Sequence, residues 1–330
     1  MRIFTHTMFL LIYLFQATLF ADATKTPIQK ELSLQNNILD SKGNVTDLII
    51  EFLSLTGIYI KDSPSGDGSQ QLLRINSPKL KEVVMATQGK INPQVTWKME
   101  GKRWEMHNPL LTSETAKQVL ELGLKNFGFD HPVFPQAKEY EGMVLLGATA
   151  GRFYERVLFA DKLSKEGLNF KTVYILTGKR PLELFEKEQF PFLRNINDEG
   201  KMTLAIFKKI ANPLLQGNYV YIYSDPPTNS PRATTESTIH AWMKHNPKPG
   251  KYLLVSNSYY IPYQELVVQN CINKSYPHAD IQVECVGPEG KVSIEGASEN
   301  KLINQASIFL DNLSRILYNL QIKKEIKETH

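Results

Sequence analysis

The sequence predicts an α/β protein with a doubly wound, mainly parallel sheet, Rossmann-like in layout, and a helical N-terminal extension. Short apolar runs of strand length recur after residue 142, and amphipathic patterns of helix length separate them. Because parallel strands need long crossover connections, this alternation predicts βαβ units with helices on both faces of the sheet. The 330 residues, 42% of them hydrophobic, are enough to bury such a core.

Composition and charge exclude several classes of protein. The 19 glycines and 18 prolines are ordinary for a globular chain, so collagen-like and largely disordered proteins are excluded. The formal net charge is only +4, spread along the whole chain. Nucleic-acid binding requires a dense basic stripe, and therefore no nucleic-acid partner is expected.

Residues 1–23 have the features of a secretory signal peptide. Arg2 supplies the basic start, an apolar run follows at 8–20, and the small residues Ala21 and Ala23 mark a cleavage site. The run is shorter than the about 20 residues that span a bilayer. The chain is therefore expected to be exported, periplasmic or secreted, with no membrane span after cleavage. An uncleaved N-terminal anchor is the alternative.

Four regions follow from the patterns along the chain. After the signal peptide, residues 24–141 form a mostly helical region, 142–290 the Rossmann-like core, and 291–330 a C-terminal helix with a charged tail. Within the first region, helical spacing occurs at 47–53 and 113–126, a strand is predicted at 55–62, and a glycine- and serine-rich loop occupies 63–69. Two prolines make 127–141 a predicted linker.

The core elements alternate regularly. Strands are predicted at 143–146, 173–176, 219–223, 252–255 and 281–286, where short apolar runs end in glycine or hydroxyl residues. Helices are predicted at 151–166, 198–210, 234–244 and 261–271, and the apolar spacing at 301–322 predicts the last helix. Right-handed crossovers would bring the carboxyl ends of all strands to one edge.

The loop after the first strand suggests an anion site. Gly147 and Gly151 allow the backbone to approach a ligand, and the following helix start offers unpaired N–H groups. Arg152 and Arg156 lie four residues apart, so they share a helix face and could bind a phosphate or carboxylate together. The alternative is a tight turn followed by an exposed basic face.

Other ligand-binding candidates follow the next strands at the same edge. Thr177 and Gly178 would line the floor of the site. The remaining candidates are Thr234, Thr235, Ser256, Asn257 and Tyr260. Ligands of open parallel sheets bind beyond the carboxyl ends of the strands, so these loops form one predicted site.

Glu199 and Glu236 are the catalytic candidates. Each opens a helix directly beside this edge, where it could bind ligand hydroxyls or activate water as a general base. The alternative for both is helix capping, because acidic residues are favoured in the first turn.

The two cysteines, Cys271 and Cys285, could form a disulfide in an oxidising compartment; two buried thiols are the alternative. His240, His245 and His278 show no zinc-ligand spacing with them, so no metal site is expected. The nucleophile elbow and the HExxH motif are both absent from the sequence.

The motifs after residue 142 resemble those of the YdcF/SanA/ElyC-like family of bacterial proteins. Leu146-Gly147 matches the first strand end, and Glu199 with Met202 matches a Glu–Met helix. The family's helix spacing is reproduced by Arg156, Ala160, Leu163 and Gly167, and its other strand and helix ends by Thr177-Gly178, Thr234-Thr235-Glu236 and Val255-Ser256. Three positions depart from the family pattern, where Ser237 replaces an asparagine, Tyr260 a histidine and Tyr263 an arginine.

The resemblance implies a doubly wound fold, association with the cell envelope, and a pocket for a nucleotide or another phosphate-bearing ligand. The leading expectation is an exported protein that binds such a ligand, with hydrolysis of the ligand left open. A non-catalytic envelope or interaction protein is one alternative, favoured by the two tyrosine departures. A secreted effector acting on a host nucleotide or nucleotide-modified protein is another. The sequence indicates no particular cofactor.

Overall fold

A computed structural model describes residues 36–58, 79–99, 102–228, 230 and 232–329. The predicted signal peptide and the loop at 63–69 lie outside these residues. Of the strand predicted at 55–62, residues 59–62 also lie outside, while Leu55 ends a helix and 56–58 form a turn. Among the described residues, no helix combines the length and the hydropathy that crossing a membrane would require.

A five-stranded parallel sheet forms the centre of the protein. Its strands are β1 (Glu139–Leu146), β2 (Asn169–Gly178), β3 (Tyr219–Ser224), β4 (Gly250–Val255) and β5 (Ile281–Val286). They lie in the order β3-β2-β1-β4-β5, with Leu145 of β1 opposite Ile175 of β2 and Val255 of β4. All five predicted strands and the α/β class are therefore confirmed, and the strand order reverses direction at β1.

Helices cover both faces of the sheet. One face carries α4 (Ala150–Lys165), α5 (Leu184–Gln189), α6 (Glu199–Ile210) and α7 (Pro213–Gln216). The other carries α8 (Thr235–Met243) and α9 (Ile261–Ser275). Phe153, Val157 and Phe207 are fully buried against the first face, and Trp242 and Val268 against the second. Because helices cover both faces of the sheet, the side chains on both faces of each strand are buried. This explains why the strands appear in the sequence as unbroken apolar runs.

The predicted N-terminal extension and C-terminal helix form a second, helical core. Its helices are α1 (Asp47–Leu55), α2 (Leu80–Thr87), α3 (Ser113–Phe127) and α10 (Glu299–Thr329). The Phe309 ring of α10 lies 5.3 Å from Phe52, 6.0 Å from Phe127 and 5.4 Å from Phe129, between ring centroids. The segment 127–141 is not a separate linker, because Phe129 packs in this core, Val133 bridges to Gly287 and residues 139–141 belong to β1.

The predicted disulfide is not formed. Cys271 and Cys285 are both free and buried. Helix α9 runs antiparallel to β5: the Glu265 carboxylate accepts the Cys285 N–H at 2.8 Å, and the Gln269 amide oxygen accepts the Val283 N–H at 3.1 Å. Cys271 lies six residues beyond Glu265, about 9 Å along the helix axis. The helix therefore carries Cys271 along β5 and away from Cys285, whereas a disulfide requires Cα atoms within about 7 Å.

Candidate functional site

A cavity of about 240 Å³ opens at the carboxyl ends of β1 and β2. The β1–α4 loop and the end of β2 form its floor, and the start of α8 forms one wall. Eight of the eleven predicted binding residues line it: Gly147, Arg152, Arg156, Thr177, Gly178, Thr234, Thr235 and Tyr260. Glu199 lines it as well. The structure therefore brings together most of the site proposed from the sequence.

The residues that line the cavity carry a net positive charge, although Arg180 and Arg315 are paired with carboxylates of the protein. Six cationic side chains contribute to its lining: Arg152, Arg156, Lys179, Arg180, Arg232 and Arg315. Among the described residues, Glu199 is the one carboxylate that lines it. Cations in a partly enclosed cavity attract anions more strongly than they would at an open surface, because the surrounding protein has a low dielectric constant.

Arg152 lies in the first turn of α4, with its guanidinium 4.9 Å from the centre of the Tyr260 ring. This cation–π contact orients the side chain without neutralising its charge. Within the described part of the chain, Arg152 makes no ion pair or hydrogen bond through its side chain. Its donors are therefore directed to no other group of the described chain.

Arg156 has a different role from the predicted one. Its side chain is 2% exposed and ties the ends of two strands together. Nη1 donates to the carbonyls of Leu146 at 2.6 Å and Gly147 at 3.2 Å, Nε donates to Asn257 Oδ1 at 2.8 Å, and Nη2 donates to Ser256 Oγ at 3.3 Å. Burial, followed by the charge of Arg152, lowers the pKa of Arg156 to about 10. Arg156 therefore stays charged at neutral pH, but most of its donors are used within the protein.

Ser256 and Asn257 are consequently not cavity residues. Both are buried beside Arg156, and the Ser256 hydroxyl also donates to the Gln264 side chain. They position Arg156 at the junction of β1 and β4, and the prediction that they line the ligand site is corrected.

The start of α4 already binds a carboxylate of the protein. The Ala150 N–H donates to Glu186 Oε1 at 2.8 Å, so a carboxylate of the protein itself already occupies the helix end. A Cβ on Gly151 would approach the Gln189 side chain to 2.9 Å. Gly151 therefore provides space for Gln189 and, unlike Arg152 beside it, does not line the cavity.

A buried ion-pair network lies beneath the cavity. Arg180 binds Glu186 through Nη1 and Nη2, at 2.8 and 2.9 Å, and Glu199 Oε2 through Nε at 2.6 Å. Burial is the largest single effect on Glu186 and would raise its pKa, but the hydrogen bonds and charge of Arg180, together with the N–H groups of Glu183 and Ala150, outweigh it and the pKa is lowered. At Glu199 burial is the largest effect and raises the pKa in spite of Arg180.

Glu199 is placed to act on a ligand through its other oxygen. A Cβ on Gly147 would lie 2.6 Å from Glu199 Oε1, so only glycine lets this carboxylate lie against the β1–α4 loop. The glycine predicted to approach the ligand thus makes room for the carboxylate. Glu199 is therefore a buried carboxylate of the cavity lining, with a pKa raised by burial.

Thr177 contributes an unsatisfied hydroxyl to the floor. The residue is 1% exposed, and its Oγ1 has no hydrogen-bond partner among the described residues. Buried hydroxyls are nearly always hydrogen-bonded, so this one calls for a partner in the cavity. Gly178 beside it permits close packing, because its Cβ would come within 2.1 Å of the Ala233 Cβ.

Glu236 does not join this site. Its side chain is 62% exposed and does not line the cavity; it lies 3.9 Å from His240 on the same helix. Thr234 caps that helix, since its hydroxyl accepts the Ser237 N–H at 3.1 Å. The predicted pair of catalytic carboxylates is therefore reduced to Glu199.

Several residues that line the cavity were not among those predicted from the sequence. Trp104 comes from the N-terminal region, with its ring 5.6 Å from the Arg180 guanidinium, and Arg315 comes from α10. Nothing local in the sequence marks these two residues, because both reach the site from the helical core. Arg180 and Arg232 lie in loops after β2 and β3, where the rule that placed Thr177 could have found them.

Comparisons with models of protein families, with curated proteins and with solved structures find no match to this chain. The resemblance to the YdcF/SanA/ElyC-like family thus depends on its motif residues alone and remains a prediction.

Proposed function

We propose that the protein binds a small molecule bearing a phosphate group, such as a nucleotide, in the cationic cavity. The observation that supports this most directly is Arg152, which lies over Tyr260 with no anionic partner in the described part of the chain. Guanidinium groups match phosphate oxygens in charge and in geometry. The cavity also lies near the point where strand order reverses, the usual ligand position in open parallel sheets.

The cavity volume indicates how such a ligand is accommodated. At about 240 Å³ it is smaller than the about 300–1,000 Å³ of pockets that enclose drug-sized ligands. The phosphate group would occupy the interior, where the Thr177 hydroxyl can donate to one of its oxygens. The rest of the ligand would extend towards the mouth, and the half-buried Trp104 ring offers a stacking surface for a base or sugar there.

We also propose that Glu199 supports hydrolysis of the bound ligand. In this step the carboxylate takes a proton from water, and the water oxygen bonds to phosphorus. The bond from phosphorus to the leaving oxygen breaks, and that oxygen departs with its electron pair. Arg152 would stabilise the charge that develops on the phosphoryl oxygens. Because Glu236 lies outside the cavity and cannot protonate the leaving group, that group would take its proton from solvent.

Arg152→Ala is expected to weaken ligand binding markedly while preserving the fold. Loss of a charge-assisted hydrogen bond costs about 1.5–3 kcal/mol, which weakens affinity roughly tenfold to a hundredfold. Thermal unfolding should be followed with inorganic phosphate, ribose 5-phosphate and AMP, because ligands that bind only the folded state raise the melting temperature. Arg194→Ala is the matched control, since Arg194 is exposed and outside the cavity. The proposal fails if no probe stabilises the protein, or if both variants respond as the natural chain does.

Glu199→Gln is expected to separate binding from hydrolysis. Glutamine keeps the side-chain size but cannot accept a proton from water, so phosphate release should fall about 10²–10⁴-fold while the thermal shift persists. Release of inorganic phosphate from AMP and ribose 5-phosphate provides the measurement. Glu188→Gln, at an exposed position outside the cavity, is the control. Unchanged release in Glu199→Gln, or binding without release in the natural chain, would reject hydrolysis by Glu199.

A further inference from the structure

A second group of chemically active side chains lies between α8 and α9, outside the cavity lining. Cys271 Sγ is 3.8 Å from His240 Nε2, and Glu236 Oε1 is 3.9 Å from the same nitrogen. One potential ligand atom from each of these three residues lies within 4.8 Å of the others. Two helices thus bring a thiol, an imidazole and a carboxylate together.

These separations are close to those required around a zinc ion. With Zn–S near 2.3 Å and Zn–N and Zn–O near 2.0–2.1 Å, tetrahedral angles place S and N about 3.6 Å apart and N and O about 3.3 Å apart. The observed 3.8 and 3.9 Å exceed these values by a few tenths of an ångström. Glu236 is 62% exposed, and rotation of its side chain can remove the difference.

The His240 ring is held in a metal-binding orientation by a neighbour. Its Nδ1 lies 2.9 Å from the Tyr276 hydroxyl, on the opposite side from Cys271 and Glu236. In the tautomer with hydrogen on Nδ1, this nitrogen donates to the tyrosine oxygen and Nε2 presents its lone pair to the other two residues. Metal-binding histidines typically use their second nitrogen in such a contact.

We propose that Glu236, His240 and Cys271 form a binding site for Zn²⁺. Sulfur, nitrogen and carboxylate donors together favour this ion over Mg²⁺ or Ca²⁺, which prefer oxygen ligands alone. The partly exposed Glu236 and His240 leave the fourth position open to water. Sequence spacing suggested no metal site, because the cysteine lies on another helix; Glu236 and His240, four residues apart, already share a helix face.

Ion binding is coupled to loss of the thiol proton. Burial raises the pKa of Cys271 to about 12, with a smaller contribution from Glu236. A metal ion that binds the Cys271 sulfur must therefore displace this proton.

Cobalt binding provides the test. The full chain, stripped with a chelator, is titrated with Co²⁺; a thiolate-to-cobalt charge-transfer band and strong tetrahedral visible bands are expected, and excess Zn²⁺ should remove them. Cys271→Ser should abolish the charge-transfer band. Cys285→Ser is the matched control and should keep it, because Cys285 is also buried but outside the group. Absence of the band in the natural chain, or its loss only in Cys285→Ser, overturns the proposal.

Histidine and tyrosine variants provide a second measurement that does not disturb the buried thiol. His240→Gln should weaken Co²⁺ affinity at least tenfold, whereas the exposed His245→Gln should leave it unchanged. Tyr276→Phe should weaken it roughly tenfold, as loss of a contact behind a ligating histidine does. Equal affinity in His240→Gln and His245→Gln would reject the site. The stabilisation of the protein by phosphate probes should be the same in these variants, because the proposed zinc ligands Glu236, His240 and Cys271 do not line the cavity.

Discussion

Arg180→Met is expected to lower the free energy of unfolding by about 3–5 kcal/mol at pH 7. In the part of the chain that the structure describes, Arg180 is the one cation that pairs with both Glu186, whose side chain is fully buried, and Glu199, which is 13% exposed. Methionine fills part of the volume but leaves both carboxylates without their main partner. Removing one member of a buried ion pair costs far more than the pair contributes, because an uncompensated charge remains in the interior.

The loss should diminish as the pH falls from 7 to 5. In the natural chain the pKa of Glu186 is lowered, so its stabilising effect is present above the unfolded pKa and is lost only as the pH falls through the folded pKa. Without Arg180 the buried carboxyl would have a raised pKa and would take up a proton on acidification. The variant therefore regains stability towards pH 5, while the natural chain gains no such benefit from Glu186.

Urea unfolding at pH 7 and pH 5 measures this difference. Arg194→Met is the control for loss of one positive charge, since Arg194 is exposed, and should change stability by no more than about 0.5 kcal/mol. An Arg180→Met variant as stable as the natural chain at pH 7, or one with the same loss at both pH values, would contradict the assignment of this network.

The sheet could be predicted from the sequence because its signals are local and repeated. Each strand is buried on both faces and therefore appears as an unbroken apolar run, such as Met143–Leu146, all of it buried. Parallel pairing then brings Thr177 and the β1–α4 loop to the same edge, whatever their separation along the chain. The approximate position of the cavity followed from topology alone.

The roles of individual charged residues could not be predicted in the same way. Arg152 and Arg156 share a helix face, yet one lies over an aromatic ring at the cavity and the other ties together buried strand ends. Glu236 and Glu199 both open helices, but only Glu199 lies against the floor. The burial of each charged side chain decides its role. Burial in turn depends on which groups from distant segments of the chain pack against that side chain.

The N-terminal and C-terminal regions show the same dependence on tertiary contacts. Arg315 reaches the cavity from α10, held by two hydrogen bonds to Asp311 at 2.9 and 3.1 Å. The apolar spacing at 301–322 predicted this helix, but it did not indicate which of its side chains would reach the cavity. The helical core thus contributes Trp104 and Arg315 to a site that the α/β core alone would leave incomplete.

Arg156→Ala is expected to destabilise the protein by about 3 kcal/mol, and not to act simply as a binding variant. The substitution leaves the buried Asn257 amide and the carbonyls of Leu146 and Gly147 without their donor, and each such group costs about 1–3 kcal/mol when unsatisfied. It also opens a cavity where a large, 2% exposed side chain was packed. Removal of a buried cation offsets part of this loss, since burial has already lowered the pKa of Arg156.

Comparison of Arg156→Ala with Arg152→Ala in urea distinguishes the two arginines. Both remove one guanidinium from the same helix, so net charge and helix propensity change equally. Arg152 is half-buried and contacts an aromatic face, so its loss should cost no more than about 1 kcal/mol of stability. Equal unfolding midpoints would show that Arg156 does not hold β1 to β4. A lower midpoint for Arg156→Ala alone would show that Arg156 stabilises the fold. Only this variant leaves buried acceptors at the junction of β1 and β4 without their hydrogen-bond donor.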